Sequence, residues 1–170
     1  MNKTHPPSNV VLIGMPGVGK STVGVLLAKA LSKAFLDTDL LIQSNEGRRL
    51  QDIIDADGLA AFRAIEERRI AELNAANTVI ATGGSVPYSE RAMASLKADG
   101  IVVFLDLPLD ELERRITNMD SRGIVIAPGQ TFAGLYEERM PVYRRHAGIR
   151  IDCAGMGHEG AVRAVLDALR

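Results

Sequence analysis

Short apolar runs rich in β-branched residues alternate along this chain with longer stretches whose apolar positions recur at helical spacing. The runs are NVVLIG (9–14), NTVIATGG (77–84), GIVVFLDL (100–107) and IRIDC (149–153), with a weaker one at KAFLDTD (33–39). They are nearly continuous rather than alternating polar with apolar, which is the pattern of strands covered on both faces. Between them, Val23, Leu26, Leu27, Ala30 and Leu31 fall on one helical face, as do Phe62, Ile65, Ile70 and Leu73 in FRAIEERRIAELN. Strands alternating with helices predict an α/β fold with a parallel sheet flanked by helices. The span NMDSRGIVIAPGQT (118–131) carries Gly123, Pro128 and Gly129 between two helical patterns and reads as a long loop. Loops of that length inside a compact domain often serve as lids.

Composition adds bounds. The 170 residues predict one domain, with residues 1–8 as an N-terminal tail, and a hydrophobic content of 46% is ample for a core. A net charge of −1 and 4% aromatic residues make no case for a nucleic-acid or membrane partner. Cys153 is the single cysteine, so no intramolecular disulfide forms and a reducing, cytoplasmic setting is expected. His5, His146 and His158 are scattered without metal-ligand spacing, and Cys153 reads as a small buried hydrophobe.

Chemistry enters at GMPGVGKS, which satisfies G-x-x-x-x-G-K-[ST] at Gly14, Gly19, Lys20 and Ser21, with Gly17 in addition. It follows a strand pattern and opens a helix pattern, the context that gives the motif its meaning. Glycines let successive backbone N–H groups turn toward phosphate oxygens, and the helix N-terminus adds partial positive charge. Lys20 supplies a full charge, and the Ser21 hydroxyl suits Mg²⁺. The stretch is a phosphate-binding loop. A carboxylate for the metal has two sources. Asp106 in VVFLDLP ends an apolar run, yet Pro108, Asp110 and Glu111 behind it are what a helix start looks like, so a loop or cap role is the favoured reading. Asp37 and Asp39 in FLDTDLL would project the same way if the chain stays extended, one near the metal and one near an acceptor hydroxyl.

Three further stretches decide nothing separately. FRAIE sets Arg63 and Glu66 at i, i+3, which alone could be a surface ion pair. ATGGS ends a strand in Gly83-Gly84, either a tight turn or a place where a ligand nears the backbone. ERMPVYRRHA puts Arg139, Arg144 and Arg145 near a helix end, where cations favour the dipole without any ligand.

In order, however, G-x-x-G-x-G-K-S/T, D-T-D, F-R-x-x-E, a strand ending in Gly-Gly, a lid arginine and R-x-P-x-Y-R-R closely resemble the shikimate kinase family over about residues 9–165. The resemblance implies a three-layer P-loop kinase fold, with a five-stranded parallel sheet, flanking helices and a mobile lid. It implies transfer of the ATP γ-phosphate to the 3-hydroxyl of shikimate, with ATP and Mg²⁺ required and a monomer expected. Position by position, it implies that Gly17, Val18, Gly19, Lys20, Ser21 and Thr22 hold the ATP phosphates, and that Ser21 binds Mg²⁺ with Asp37 assisting through water. Asp39 would orient or deprotonate the attacking hydroxyl. Arg63 and Arg139 would grip the substrate carboxylate, Glu66 would brace them, and Gly83 and Gly84 would offer backbone. Arg122 would close over the phosphates and Arg115 would stack on adenine.

The chain departs from the family pattern in four places. It reads Gly83-Gly84-Ser85 for Gly-Gly-Gly, Arg122-Gly123 for Arg-Pro, and Leu59 where an acidic residue is usual, and AGMGHEG does not match the adenine loop cleanly. An Oγ at position 85 either narrows the pocket or adds a hydrogen bond. These changes bear on the acceptor, and a kinase of another small hydroxy acid or polyol on the same scaffold is the second reading. A nucleotide-sensing domain without turnover is the third.

Overall fold

The computed structural model describes residues 6–117, 124 and 126–170. In chain order it runs β1 (Asn9–Ile13), α1 (Lys20–Leu31), β2 (Ala34–Asp37), α2 (Thr38–Glu46), α3 (Leu50–Asp57), α4 (Leu59–Ala71), β3 (Thr78–Ala81) and a 3₁₀ turn (Val86–Tyr88). It continues with α5 (Glu90–Ala98), β4 (Gly100–Asp106), α6 (Leu109–Thr117), α7 (Phe132–His146), β5 (Ile149–Asp152) and α8 (His158–Ala168). The strands form one parallel sheet in the order β2-β3-β1-β4-β5. Val10 pairs with Val79 on one side and with Ile101 on the other. All five residues of β1 are buried, as a central parallel strand covered on both faces must be.

This strand order fixes where a ligand sits. From β1 the chain moves to β2 on one side, and after β3 it crosses to β4 on the other. The crevice at the carboxyl ends of the strands, at that reversal, is where open α/β sheets bind ligands. The P-loop leaves β1 into this crevice.

Two apolar clusters support it. The larger spans the sheet and its helices, including Leu12, Ile13, Leu27, Ile80, Val103, Phe104 and Val165, with the Phe104 and Tyr143 rings 5.4 Å apart. The smaller, Ile42, Ile53 and Phe62, ties α2, α3 and α4 into a separate arm beside the crevice. The helical face read from Phe62, Ile65, Ile70 and Leu73 is therefore divided. Phe62 and Ile65 belong to the smaller cluster, Ile70 and Leu73 to the larger, and the helix ends at Ala71, before Leu73.

The D-T-D stretch does not stay extended, as the expectation had it. Asp37 ends β2 and its Oδ1 accepts from the backbone N–H groups of Asp39 (2.9 Å) and Leu40 (3.3 Å). It is thus the N-cap of α2, and Asp39 lies in that helix's first turn. Asp106 is engaged structurally: its Oδ2 accepts from Arg150 Nε (2.7 Å) and Nη2 (2.6 Å), fastening β4 to β5. Cys153 is buried, which pushes its thiol up to about 11. Residues 118–131 join α6 to α7, and Arg122 and Gly123 lie outside the described residues. No helix among the described residues is long and apolar enough to cross a membrane.

Candidate active site

The crevice is a cleft of about 580 Å³, within the range of small-molecule sites. Its phosphate cradle is one continuous piece of chain. Gly17, Gly19, Lys20, Ser21 and Thr22 line it, while Val18 is buried in the core and does not line the cleft. Gly19 has φ 101°, a conformation side chains rarely adopt, and a Cβ there would stand 2.8 Å from the His158 ring. Lys20 is buried, donating from Nζ to the carbonyls of Gly14 (2.7 Å) and Met15 (2.9 Å). Burial lowers its pKa to about 8, an effect that nearby Asp39 and Asp37 oppose. The ammonium is therefore charged at neutral pH.

Arg115 reaches the same side from α6. Its guanidinium donates to the carbonyls of Val18 and Met156, each at 3.0 Å, which joins the P-loop to the turn before α8. His158, the first residue of α8, lines the cleft beside it. Spacing gave no reason to place His158 here. The usable signal was Gly155-Met156-Gly157, a turn that leads straight into a helix start.

The opposite side, where an acceptor is expected, is assembled from four distant elements. Asp39 comes from α2, Glu66 from α4, Gly83, Gly84 and Ser85 follow β3, and Arg139 comes from α7; all line the cleft. Gly83 and Gly84 are required by space. A Cβ on Gly83 would lie 2.6 Å from Asp39 Oδ1, and one on Gly84 would lie 2.5 Å from Arg139 Nη1. The Gly83 N–H is held by Thr38 Oγ1 at 3.0 Å, and the Gly84 carbonyl accepts from the Tyr143 hydroxyl at 2.8 Å. Asp39 is raised to about 6 and Glu66 to about 7, first by burial and then by neighbouring carboxylates.

Arg63 stands apart from the other expected site residues. It is exposed on α4, does not line the cleft, and sets its guanidinium over the Tyr88 ring at 5.2 Å. Arg139, only 2% exposed, approaches the same ring at 5.8 Å. Tyr88 donates from its hydroxyl to Glu138, which also accepts from Gln130 at 2.7 Å. Reading the sequence missed Tyr88; an aromatic directly after a proline in a short turn carries no periodic signal. Ser85 resolves the open choice at its position. It is buried and donates from Oγ to Glu66 Oε1 at 2.8 Å, so it adds a hydrogen bond.

Ser21 Oγ and Asp37 Oδ2 face each other at 2.6 Å at the foot of the cleft. Two oxygen ligands at the edge of a phosphate cradle suit Mg²⁺, which keeps most of its shell as water and phosphate oxygens.

A P-loop, the buried carboxylates Asp39 and Glu66 and a buried arginine thus share one cleft. The family model for shikimate kinase matches residues 16–170. This chain belongs to the shikimate kinase family. The shikimate kinase of Persephonella marina is 35% identical over 163 residues, covering 95% of this chain and 99% of its own length. That of Mycobacterium leprae is 38% identical over 165 residues, covering 94% and 81% respectively. Among solved structures, the shikimate kinase from Acinetobacter baumannii in complex with shikimate matches with a TM-score of 0.86 at 31% identity, over 98% of this chain and 94% of its own. Membership makes the chain an ATP-dependent kinase with a hydroxyl acceptor, and the five-stranded parallel sheet with flanking helices implied by its motifs is the fold found.

Proposed function

We propose that this chain, as a single catalytic domain, transfers the γ-phosphate of ATP to the 3-hydroxyl of shikimate. One observation carries the assignment of residues: Lys20, Asp39, Glu66, Gly83, Gly84 and Arg139, spread over 120 positions, line one cleft. The backbone N–H groups from Gly17 to Thr22 and the Lys20 ammonium hold the triphosphate. Arg139 receives the acceptor carboxylate, a role its planar fork of donors fits; Arg63 assists from the rim beside Tyr88. Asp39 accepts a hydrogen bond from the attacking hydroxyl. As the O–P bond forms and the bond to the ADP oxygen breaks, the hydroxyl proton leaves toward Asp39. Phosphoryl transfer needs positioning and charge neutralisation more than covalent help, and this set supplies both. Ser21 and Asp37 would hold Mg²⁺, which when bound neutralises charge on the phosphates. Arg122 is proposed to add charge there, and Arg115 to stack on adenine.

Balanced charge and a lone cysteine support a monomeric cytoplasmic enzyme of a small anionic substrate, without nucleic-acid or membrane partners. The test is a coupled ADP-release assay across shikimate, quinate, gluconate, homoserine and nucleoside monophosphates. Shikimate is expected to give the highest kcat/KM. Turnover of another acceptor with none of shikimate would reassign the substrate, and no turnover at all would leave only nucleotide binding.

A further inference from the structure

Glu66 is tied on one side only. Its Oε1 accepts from Ser85 Oγ at 2.8 Å, while Oε2 is buried with no hydrogen-bond partner among the described residues. Oε2 looks toward Gly83, where a Cβ would stand 3.0 Å from it and 2.6 Å from Asp39 Oδ1. The missing side chain thus leaves a gap at which carboxylate oxygens from α4 and α2 both aim. A buried acceptor oxygen without a donor is costly, and a hydroxyl entering from the cleft relieves that cost. The third glycine of the family pattern has no atom that could hold Glu66 this way.

We propose that Ser85 is a positioning residue: by holding Oε1 it presents Glu66 Oε2 beside Asp39 as a second acceptor for a substrate hydroxyl. The inference rests on the acceptor side of the function proposed above. The charged groups facing Glu66 are Asp39 from α2, Arg139 from α7 and Arg63 on its own helix, and Lys20 and Asp37 act on Asp39 in turn. Burial raises Glu66 to about 7, and the Ser85 hydrogen bond pulls it down by favouring the anion. Without that bond the titration moves to higher pH, so at neutral pH less of the carboxylate is in the accepting form.

Ser85→Ala should move the acidic limb of kcat/KM for shikimate upward by about one pH unit. KM for shikimate near pH 7 should rise roughly five- to tenfold, with kcat at saturation little changed. Ser85→Thr, which keeps the hydroxyl, should restore both. Carbon-13 NMR of glutamate-labelled protein, with Glu66 assigned through Glu66→Gln, should show the same upward titration without any substrate. An unmoved Glu66 titration in Ser85→Ala would overturn the proposal. So would a moved titration with an unmoved KM limb. If the wild-type protein turns over no shikimate, the functional reading fails, and the NMR titration still decides whether Ser85 governs Glu66.

Discussion

The two sides of the cleft are built in opposite ways. The phosphate cradle comes from consecutive residues after β1, so its geometry is local: a strand, a glycine turn and a helix N-terminus, with Arg115 and His158 added at its edge. The acceptor side borrows Asp39, Glu66, Ser85 and Arg139 from four elements, and holds them by long-range ties such as Ser85 to Glu66 and Tyr143 to Gly84. Local construction makes a cradle for phosphate that many folds share. Long-range construction lets substrate choice be tuned one side chain at a time. Substitutions in the cradle should therefore act on rate and ATP, and those at Glu66, Ser85 and Arg139 on acceptor KM, with Asp39, which takes the proton, acting on rate as well.

The largest effect belongs to the cradle. Lys20→Met should lower kcat/KM for ATP by about 10³-fold, the scale for deleting a charge aimed at a developing anion. Shikimate affinity, read by calorimetry, should stay within about twofold. The pH profile gives the same separation without mutation. Lys20 loses its proton near 8 rather than near 10.5, so kcat/KM for ATP should decline as pH rises through about 8. Asp39 and Glu66 gain protons as pH falls through about 6 and 7, so kcat/KM for the acceptor should decline on the acid side. If both profiles share one limb, the division of the cleft is wrong.

Next in size is Arg139→Lys. A lysine keeps the charge but loses the bidentate fork, and KM for shikimate should rise about 10- to 100-fold with ATP affinity held. A fall in ATP affinity with acceptor KM unmoved would place Arg139 on the other side.

The same contrast explains what the sequence disclosed. The sheet was legible because buried parallel strands are continuous apolar runs, and the cradle because its chemistry is contiguous. Asp39, Glu66 and Arg139 were legible only as an ordered set of motifs; no spacing within the chain shows that α2, α4 and α7 converge. The premise for D-T-D was wrong in form, since capping by Asp37 starts a helix at Thr38, yet both aspartates line the cleft. Arg63 shows the limit of a face argument. It shares a helix with Glu66, but the three-residue step carries one side chain to the surface and the other into the cleft. Tyr88 and His158 were invisible because their positions depend on packing between elements far apart in sequence.

Tyr88 supplies the smallest and sharpest test of the divided cleft. Its ring faces the guanidinium groups of both Arg63 and Arg139, and its hydroxyl is anchored on Glu138. A cation over an aromatic face at a partly exposed site is worth about 0.5–1 kcal/mol. Tyr88→Leu removes two such contacts and should raise KM for shikimate by up to roughly five- to thirtyfold, with kcat and ATP affinity unchanged. Tyr88→Phe keeps the ring and should stay within about twofold of the wild type. Equal losses in both variants would mean that the Glu138 hydrogen bond, not the ring, orients the arginines. Loss of kcat in either would mean that Tyr88 reaches the reacting groups through the nucleotide side, against the separation drawn above.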